Sequence, residues 1–378
     1  MRLGNNFIDL FAEQREKFQK TDLSPRQRVK NAIHRKEIDR TPFDLWISPA
    51  IWEKLKSGLN TESEEEIQEL LSTDLRIVQP NYVGPAPVDL GNEIFVNEFG
   101  SHRVTRSTPY GEYYELKQFP LAEATKVSEL ENYPYLPKVE DWDPASVTHQ
   151  ISKLDAVDEY YLRFEACGIF EYSWPLFGLE NLLLRMGSDD MALPNAAMAY
   201  ITELFIGLTK QVLNAAEGRY DMVYIYDDIG TQFAPMMSVQ MWREYIMPWH
   251  KKYLNAIREY GVDIMYHSDG AIYPFIKYLI EDLKIDVLNP MQKTAKGMDF
   301  TKIKNNFGDR LSFYGAIDVQ EVLPTYTPEA VREEVINVQQ ILGAGGGYVC
   351  TSAHRMQGDV PLENVIAMYT APRDINQF

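Results

Sequence analysis

Val262-Asp263-Ile264-Met265-Tyr266-His267-Ser268-Asp269-Gly270 is a short apolar run that ends in a histidine, a carboxylate two residues later, and a glycine. That is the form of a buried parallel strand that delivers polar groups to a rim before the chain turns. Residues two apart on an extended segment project from the same side, so His267 and Asp269 can grip one metal ion, one proton or one substrate together. The same grammar returns near the C-terminus. There Gly345-Gly-Gly-Tyr-Val-Cys350-Thr-Ser-Ala-His354 runs from glycines through a short strand to a second histidine.

Outward from these two stretches the chain alternates. Apolar or β-branched runs occur at Thr41–Ile47, Leu75–Gln79, Tyr160–Glu165, Met222–Tyr226, Val262–His267, Asp286–Leu288, Leu311–Tyr314 and Gly347–Thr351. Amphipathic segments lie between most of them: Ser238–Tyr260, Ile272–Leu283, Phe300–Asn306 and Pro328–Leu342. A first helix over Pro25–Arg35 is marked by Ser24 as N-cap and Pro25 behind it, after a polar arm over residues 1–24. This repeat predicts a parallel α/β architecture. No strand leads into a Gly-x-Gly-x-x-Gly turn, and Gly343-Ala-Gly-Gly-Gly347 precedes a strand, so the dinucleotide fingerprint is missing. The expectation is a TIM-type (β/α)8 barrel with its active site at the C-terminal ends of the strands. Residues 84–136 break the rhythm, and alternation at Glu93–Arg106 and Tyr110–Leu116 predicts an inserted β-hairpin forming a flap over the mouth. With no convincing linker, residues 1–378 read as one barrel domain.

Composition narrows the function classes. A hydrophobic content of 45% and 24% charged residues suit a soluble globular protein. No stretch approaches the ~18 apolar residues of a membrane span. The N-terminus lacks a signal-peptide layout, which makes a cytoplasmic address the expectation. Two cysteines, Cys167 and Cys350, provide no disulfide framework. A net charge of −18 argues against a nucleic-acid partner, which needs a basic footprint.

On the barrel reading, the strand ends carry the candidate site: Trp46, Gln79, Tyr82, Glu165, Asp227, Asp228, His267, Asp269, Asn289, Gln292, Asp318, Gln320, His354 and Gln357. Three groups from His267, Asp269, His354 and Glu165 would make a catalytic zinc site with an open fourth position. The rival is acid–base chemistry by a histidine whose partner carboxylate sets its tautomer. Asp227 and Asp228, adjacent at a strand end, should point to opposite sides. One is expected to cap the following turn through Gly230, and the other to meet substrate or a histidine. Trp46, Tyr82, Asn289, Gln292, Asp318 and Gln357 are the expected substrate-binding residues, with Asp227, Asp228 and His354 the catalytic ones. Cys350 is either a buried apolar residue or a ligand near the rim.

Several motifs resemble the uroporphyrinogen decarboxylase-like superfamily. They begin with Pro25-Arg-Gln-Arg-Val-Lys-Asn-Ala-Ile…Asp39-Arg-Thr-Pro42, Gly178-Leu-Glu-Asn181, Asp227-Asp-Ile-Gly-Thr-Gln232 and His267-Ser-Asp-Gly270. Asp286-Val-Leu-Asn-Pro-Met-Gln292, Phe307-Gly-Asp-Arg-Leu311, Gly315-Ala-Ile-Asp318, Gly345-Gly-Gly-Tyr348 and His354…Asp359-Val-Pro-Leu-Glu-Asn364 follow in order. The resemblance implies a TIM-type barrel. True uroporphyrinogen decarboxylases carry an Arg-Gln-Ala-Gly-Arg loop for substrate carboxylates, whereas Asp44-Leu-Trp-Ile-Ser-Pro49 stands here without arginine. The other branch comprises zinc methyltransferases with a His-x-Cys pair and a distant Cys. By position His267, Asp269 and His354 take those places, and the two cysteines are replaced. Asp and His are harder ligands, suited to oxygen substrates or another metal.

The expected function is therefore metal-assisted methyl transfer between a small methylated substrate and a corrinoid protein, with zinc as the metal and a homodimer as a compatible assembly. The alternatives are a decarboxylase-like lyase acting on a tetrapyrrole or other carboxylate, with His354 and Asp227 handling protons, and a non-catalytic corrinoid- or tetrapyrrole-binding protein.

Overall fold

The computed structural model describes residues 22–373. The arm expected over residues 1–24 therefore lies mostly outside the described residues. Seven parallel strands pair in chain order: β1 (Leu75–Ile77), β2 (Tyr161–Cys167), β3 (Met222–Tyr226), β4 (Asp263–His267), β5 (Val287–Asn289), β6 (Ser312–Ile317) and β7 (Tyr348–Ser352). Their period of two sorts the side chains. Tyr161, Met222, Tyr224, Met265, Val287, Tyr314 and Val349 form one buried cluster inside the barrel, closed from below by Val29 and Ile33 of the first helix, Pro25–Ile33. Val223, Ile225, Ile264, Tyr266, Leu288, Phe313 and Cys350 belong to the larger cluster against the surrounding helices. The same period sends His267, two residues beyond Met265, into the barrel mouth, level with Tyr226 and Asn289.

The eighth stave, expected as a strand over Thr41–Ile47, is a thinner structure. It joins β7 by two parallel bridges, Phe43 with Cys350 and Ile47 with Met356. On its other side it meets the chain entering β1 at Asp74. The Asp74 N–H donates to the Phe43 carbonyl at 2.8 Å, and the Phe43 N–H donates to the Asp74 carboxylate at 2.9 Å. Further along, the described residues show no main-chain hydrogen bond between residues 44–48 and 75–78, and the wall stands open there.

Asp74 is fully buried and also accepts from Arg28 at 2.7 Å and from both terminal nitrogens of Arg40 at 2.8 Å. Arg28 in turn donates to both oxygens of Asp39. Three members of the N-terminal signature thus form an ionic pin that closes the barrel, remote from its mouth. Arg373 adds the C-terminal end, donating to Ser72, Leu71 and Tyr369 carbonyls and lying 3.9 Å from the Phe43 ring centroid.

The insertion is larger than the expected hairpin. It is a four-stranded antiparallel sheet of Val88–Gly91, Ile94–Val96, His102–Thr108 and Gly111–Gln118. The alternating run Glu93–Arg106 is broken by a turn in which Asn97 Oδ1 accepts from the Phe99 and Ser101 N–H groups. A further turn at Gly91-Asn92-Glu93 has three positive φ values in succession, 79°, 53° and 65°. Phe99 anchors the sheet, its ring centroid 4.0 Å from that of Tyr172. The tip of the last hairpin reaches the far side of the mouth, where the Tyr110 carbonyl closes on Gly358. Among the described residues no single helix is long and apolar enough to cross a membrane.

Two strongly desolvated guanidinium groups share the Asp74 carboxylate, so Asp74→Ala should cost about 3–5 kcal/mol in urea unfolding. Burial raises the Asp74 carboxyl, but Arg40 and Arg28 outweigh it and hold the group below the ordinary carboxylate range. A depressed native value stabilises the fold above the unfolded group's range and is lost as pH falls. Acid unfolding of the wild type should therefore show a component below about pH 4 that Asp74→Ala lacks.

Candidate metal centre at the barrel mouth

Three strand ends and their following loops build the site. Asp228 continues the inward register of Tyr224 and Tyr226 past β3, while Asp227 turns outward and is fully buried. His267 ends β4 and Asp269 follows it. One ligand atom from each of Asp228, His267 and Asp269 lies within 4.8 Å of the others. His354 joins from the loop after β7, its Nε2 3.8 Å from Asp269 Oδ2. Trp46 closes that side, stacked on the His354 ring at 5.3 Å and edge-on to His267 at 5.7 Å.

His267 is oriented from behind. Its Nδ1 lies 2.6 Å from Asn289 Oδ1, while the Asn289 amide nitrogen donates to the Tyr314 carbonyl at 3.5 Å. With the amide so placed, Nδ1 carries the donated proton, and Nε2 faces Asp228 at 3.8 Å. This arrangement presets an imidazole for metal binding. The carboxylates are held through backbone. The Asp269 N–H donates to Asp228 Oδ1 at 2.7 Å, and the Asp228 N–H donates to Glu171 Oε1 at 3.1 Å. Gly270 N–H donates to Gln292 Oε1 at 2.8 Å. Gly270 itself has φ +86°, and a Cβ there would sit 2.6 Å from the Thr231 carbonyl, so the turn that aims Asp269 needs a glycine.

Charge crowding sets the electrostatics. Desolvation, reinforced by Asp228 and Asp227, raises the Glu171 carboxyl well above its ordinary value. Asp269 is raised by desolvation and Asp228 against the opposing pull of His267 and His354. His354 is lowered, chiefly by desolvation, with Asp269 opposing. Asp269 Oδ1 is buried and has no hydrogen-bond partner among the described residues. An orphaned carboxylate oxygen beside a preset imidazole and a second carboxylate fits a divalent cation, whose charge would relieve the repulsion.

The other residues expected at the site fall elsewhere. Glu165 is bound to Arg163 at 3.1 Å, inside the barrel, and is not one of the three grouped ligands. Asp227 does not cap the turn at Gly230. Its oxygens accept from the Phe170 and Glu171 N–H groups at the start of the helix Ile169–Phe177, and His250 Nε2 lies 2.7 Å away. Asp318 accepts from Glu321 and Val322 N–H groups at 2.7 and 3.1 Å, which makes it a local cap. Tyr82 lies with the insertion, its hydroxyl donating to the Pro85 carbonyl, and Gln357 is exposed and donates to the Arg355 carbonyl. Asn289 and Gln292 touch His267 and Gly270 as positioning residues. Glu171 escaped the sequence reading because it opens a helix rather than ending a strand. Cys350 faces the helix layer, where burial pushes its thiol up to about 12, and burial raises Cys167 as well.

Residues 179–375 match the family model described as Uroporphyrinogen decarboxylase (URO-D), just over half of the chain. The chain belongs to the URO-D family. This URO-D protein is similar in fold to a methyltransferase from Methanosarcina mazei, with a TM-score of 0.64, 15% identity, and coverage of 93% of this chain and 98% of that one. A GH27 beta-L-arabinopyranosidase from Geobacillus stearothermophilus also matches, at a TM-score of 0.38 and 9% identity over 88% of this chain and 77% of that one. No curated protein sequence matches the chain. At these identities the structural likenesses concern the fold alone, and the second is too weak to carry an argument.

The raised Glu171 carboxyl has a consequence for stability. Unfolded, it ionises near its ordinary value, while the folded state retains the proton to higher pH, so stability falls as pH rises across that interval. Glu171→Gln keeps an acceptor for the Asp228 N–H and removes the penalty. Chelator-treated E171Q should melt above the wild type at pH 8, with the gap closing toward pH 4.

Proposed function

We propose that this URO-D protein is a metal-assisted methyltransferase, moving a methyl group between a small methylated substrate and a corrinoid protein. Asp228, His267 and Asp269 would hold the cation, with His354 adjoining. The observation that carries the reading is the preset His267 Nε2 between two carboxylates, one with an orphaned oxygen. The donors are one imidazole and hard oxygens, which suit zinc or another divalent ion acting on an oxygen substrate better than thiol activation. Both cysteine thiols are pushed up by burial, so no thiolate is poised to join them. A bound cation would supply Lewis-acid polarisation of the substrate oxygen. The chain's own groups orient and shield: Asn289 fixes the His267 tautomer, Trp46 lays an apolar face beside both imidazoles, and Gln292 and Gly270 aim Asp269.

The family match also favours a second reading, carboxyl removal from a tetrapyrrole or another carboxylate. Charge weighs against it. At the mouth stand Asp228 and Asp269, while the Arg163 terminal nitrogens are taken by Asp44, Glu165 and the Tyr314 hydroxyl. A polycarboxylate would enter against that field.

Metal analysis of protein purified without chelator tests the proposal. About one equivalent of divalent metal is expected, lost in His267→Ala, with Asn289→Ala weakening affinity about 10–100-fold through the mispositioned imidazole. A protein that arrives metal-free and binds no zinc on titration overturns it.

A further inference from the structure

The open wall beside the eighth stave leads into a cavity of about 780 Å³. It lies between residues 44–49, β1 and the helix Ser146–Asp155, and Leu45, Trp46, Trp52, Ile77, Val78 and Leu154 supply its apolar surface. Ile77, a large β-branched side chain on β1, remains 41% exposed there. Trp46 is shared: one part of the indole lines the cavity while its ring stacks on His354. Its Nε1 is buried and has no hydrogen-bond partner among the described residues.

The carboxylates around this cavity are paired, unlike those at the mouth. Each carboxylate that lines it is already paired: Asp44 with Arg163 at 3.1 Å, Glu64 with Lys56 at 3.1 Å, and Glu65 with Arg76 at 2.6 Å. The two remaining cations, Lys153 and Arg355, make no ion pair among the described residues. The lining balances three carboxylates with three cations, and Lys153 and Arg355 are the two cations whose charge is not engaged in a pair over the aromatic and aliphatic floor. Every lining residue except Arg355 precedes residue 179, outside the segment that matches the family model.

We propose that this side cavity binds a small aromatic monoanion, its ring against Trp46, Trp52 and Ile77 and its carboxylate toward Lys153 and Arg355. Apolar walls with a few convergent polar groups are the usual make-up of a small-molecule site. Arg355 offers the planar donor pair that a carboxylate accepts. Binding here does not depend on a cation at Asp228, His267 and Asp269.

Calorimetry on the full chain with naphthoate, and with naphthamide as its uncharged isostere, tests the assignment. Naphthoate should bind saturably, with naphthamide roughly tenfold weaker or worse, since a charge-assisted contact is lost. The double variant Lys153→Gln, Arg355→Gln should lose about tenfold or more for naphthoate and flatten its salt dependence, while naphthamide affinity stays unchanged. Leu154→Trp, which fills the cavity, should abolish binding with its circular dichroism and melting unaltered. Equal affinities for the two probes, wild-type affinity in either variant, or no naphthoate binding each overturn the proposal. Zinc stoichiometry separates it from the proposed function: a protein that binds naphthoate this way but no zinc sinks the metal reading alone, and the reverse sinks this one alone.

Discussion

The barrel is closed by a carboxylate. Asp74 receives Arg28 from the first helix, Arg40 from the approach to the eighth stave, and the Phe43 N–H of that stave itself. Each partner comes from a part of the chain that has no continuous ladder to hold it beside β1. Two guanidinium groups brought out of water demand a compensating anion, and one anion reached by both fixes where the stave must run. Trp46 occupies its place beside His267 and His354 because Phe43, three residues earlier, is pinned in this way.

Closure at one point rather than along a ladder leaves a gap, and that gap divides the rim. On one side Asp228 and Asp269 crowd around His267 with Glu171 behind them, the Asp269 N–H holding Asp228 and the Asp228 N–H holding Glu171. On the other, Lys153 and Arg355 face an apolar hollow where every carboxylate is paired. Trp46 stands between them as a shared wall.

Much of the architecture was legible in the chain. β3 and the helix Pro328–Leu342 fall where periodicity and capping place them, and the other barrel strands deviate by a few residues at their ends. The insertion was misread because a run of alternating residues cannot reveal a turn whose signal lies in side-chain bonds, as with Asn97. The eighth stave was over-read for a related reason: β-branched composition marks an extended segment but does not supply it with partners. At the site, His267, Asp269 and Asp228 were visible as polar ends of apolar strands. Glu171 was not, since a carboxylate at a helix start looks like an ordinary first-turn acid. Asp227 and Asp318 carried the same strand-end signature as Asp228, yet the backbone N–H groups of neighbouring helices occupy them.

The sequence by itself determined the strand–helix repeat, the inward register of His267, and the placing of Asp269 and His354 just beyond strand ends. Those follow from period, residue type and order, which are local properties. Only the tertiary structure decided which carboxylates are free to act and which are spent on caps and ion pairs, and only it produced the side cavity. Both depend on groups from distant parts of the chain meeting in space, Asp74 with Arg28 and Arg40, Glu65 with Arg76, Lys153 with Arg355 across one hollow. No local pattern encodes such a meeting.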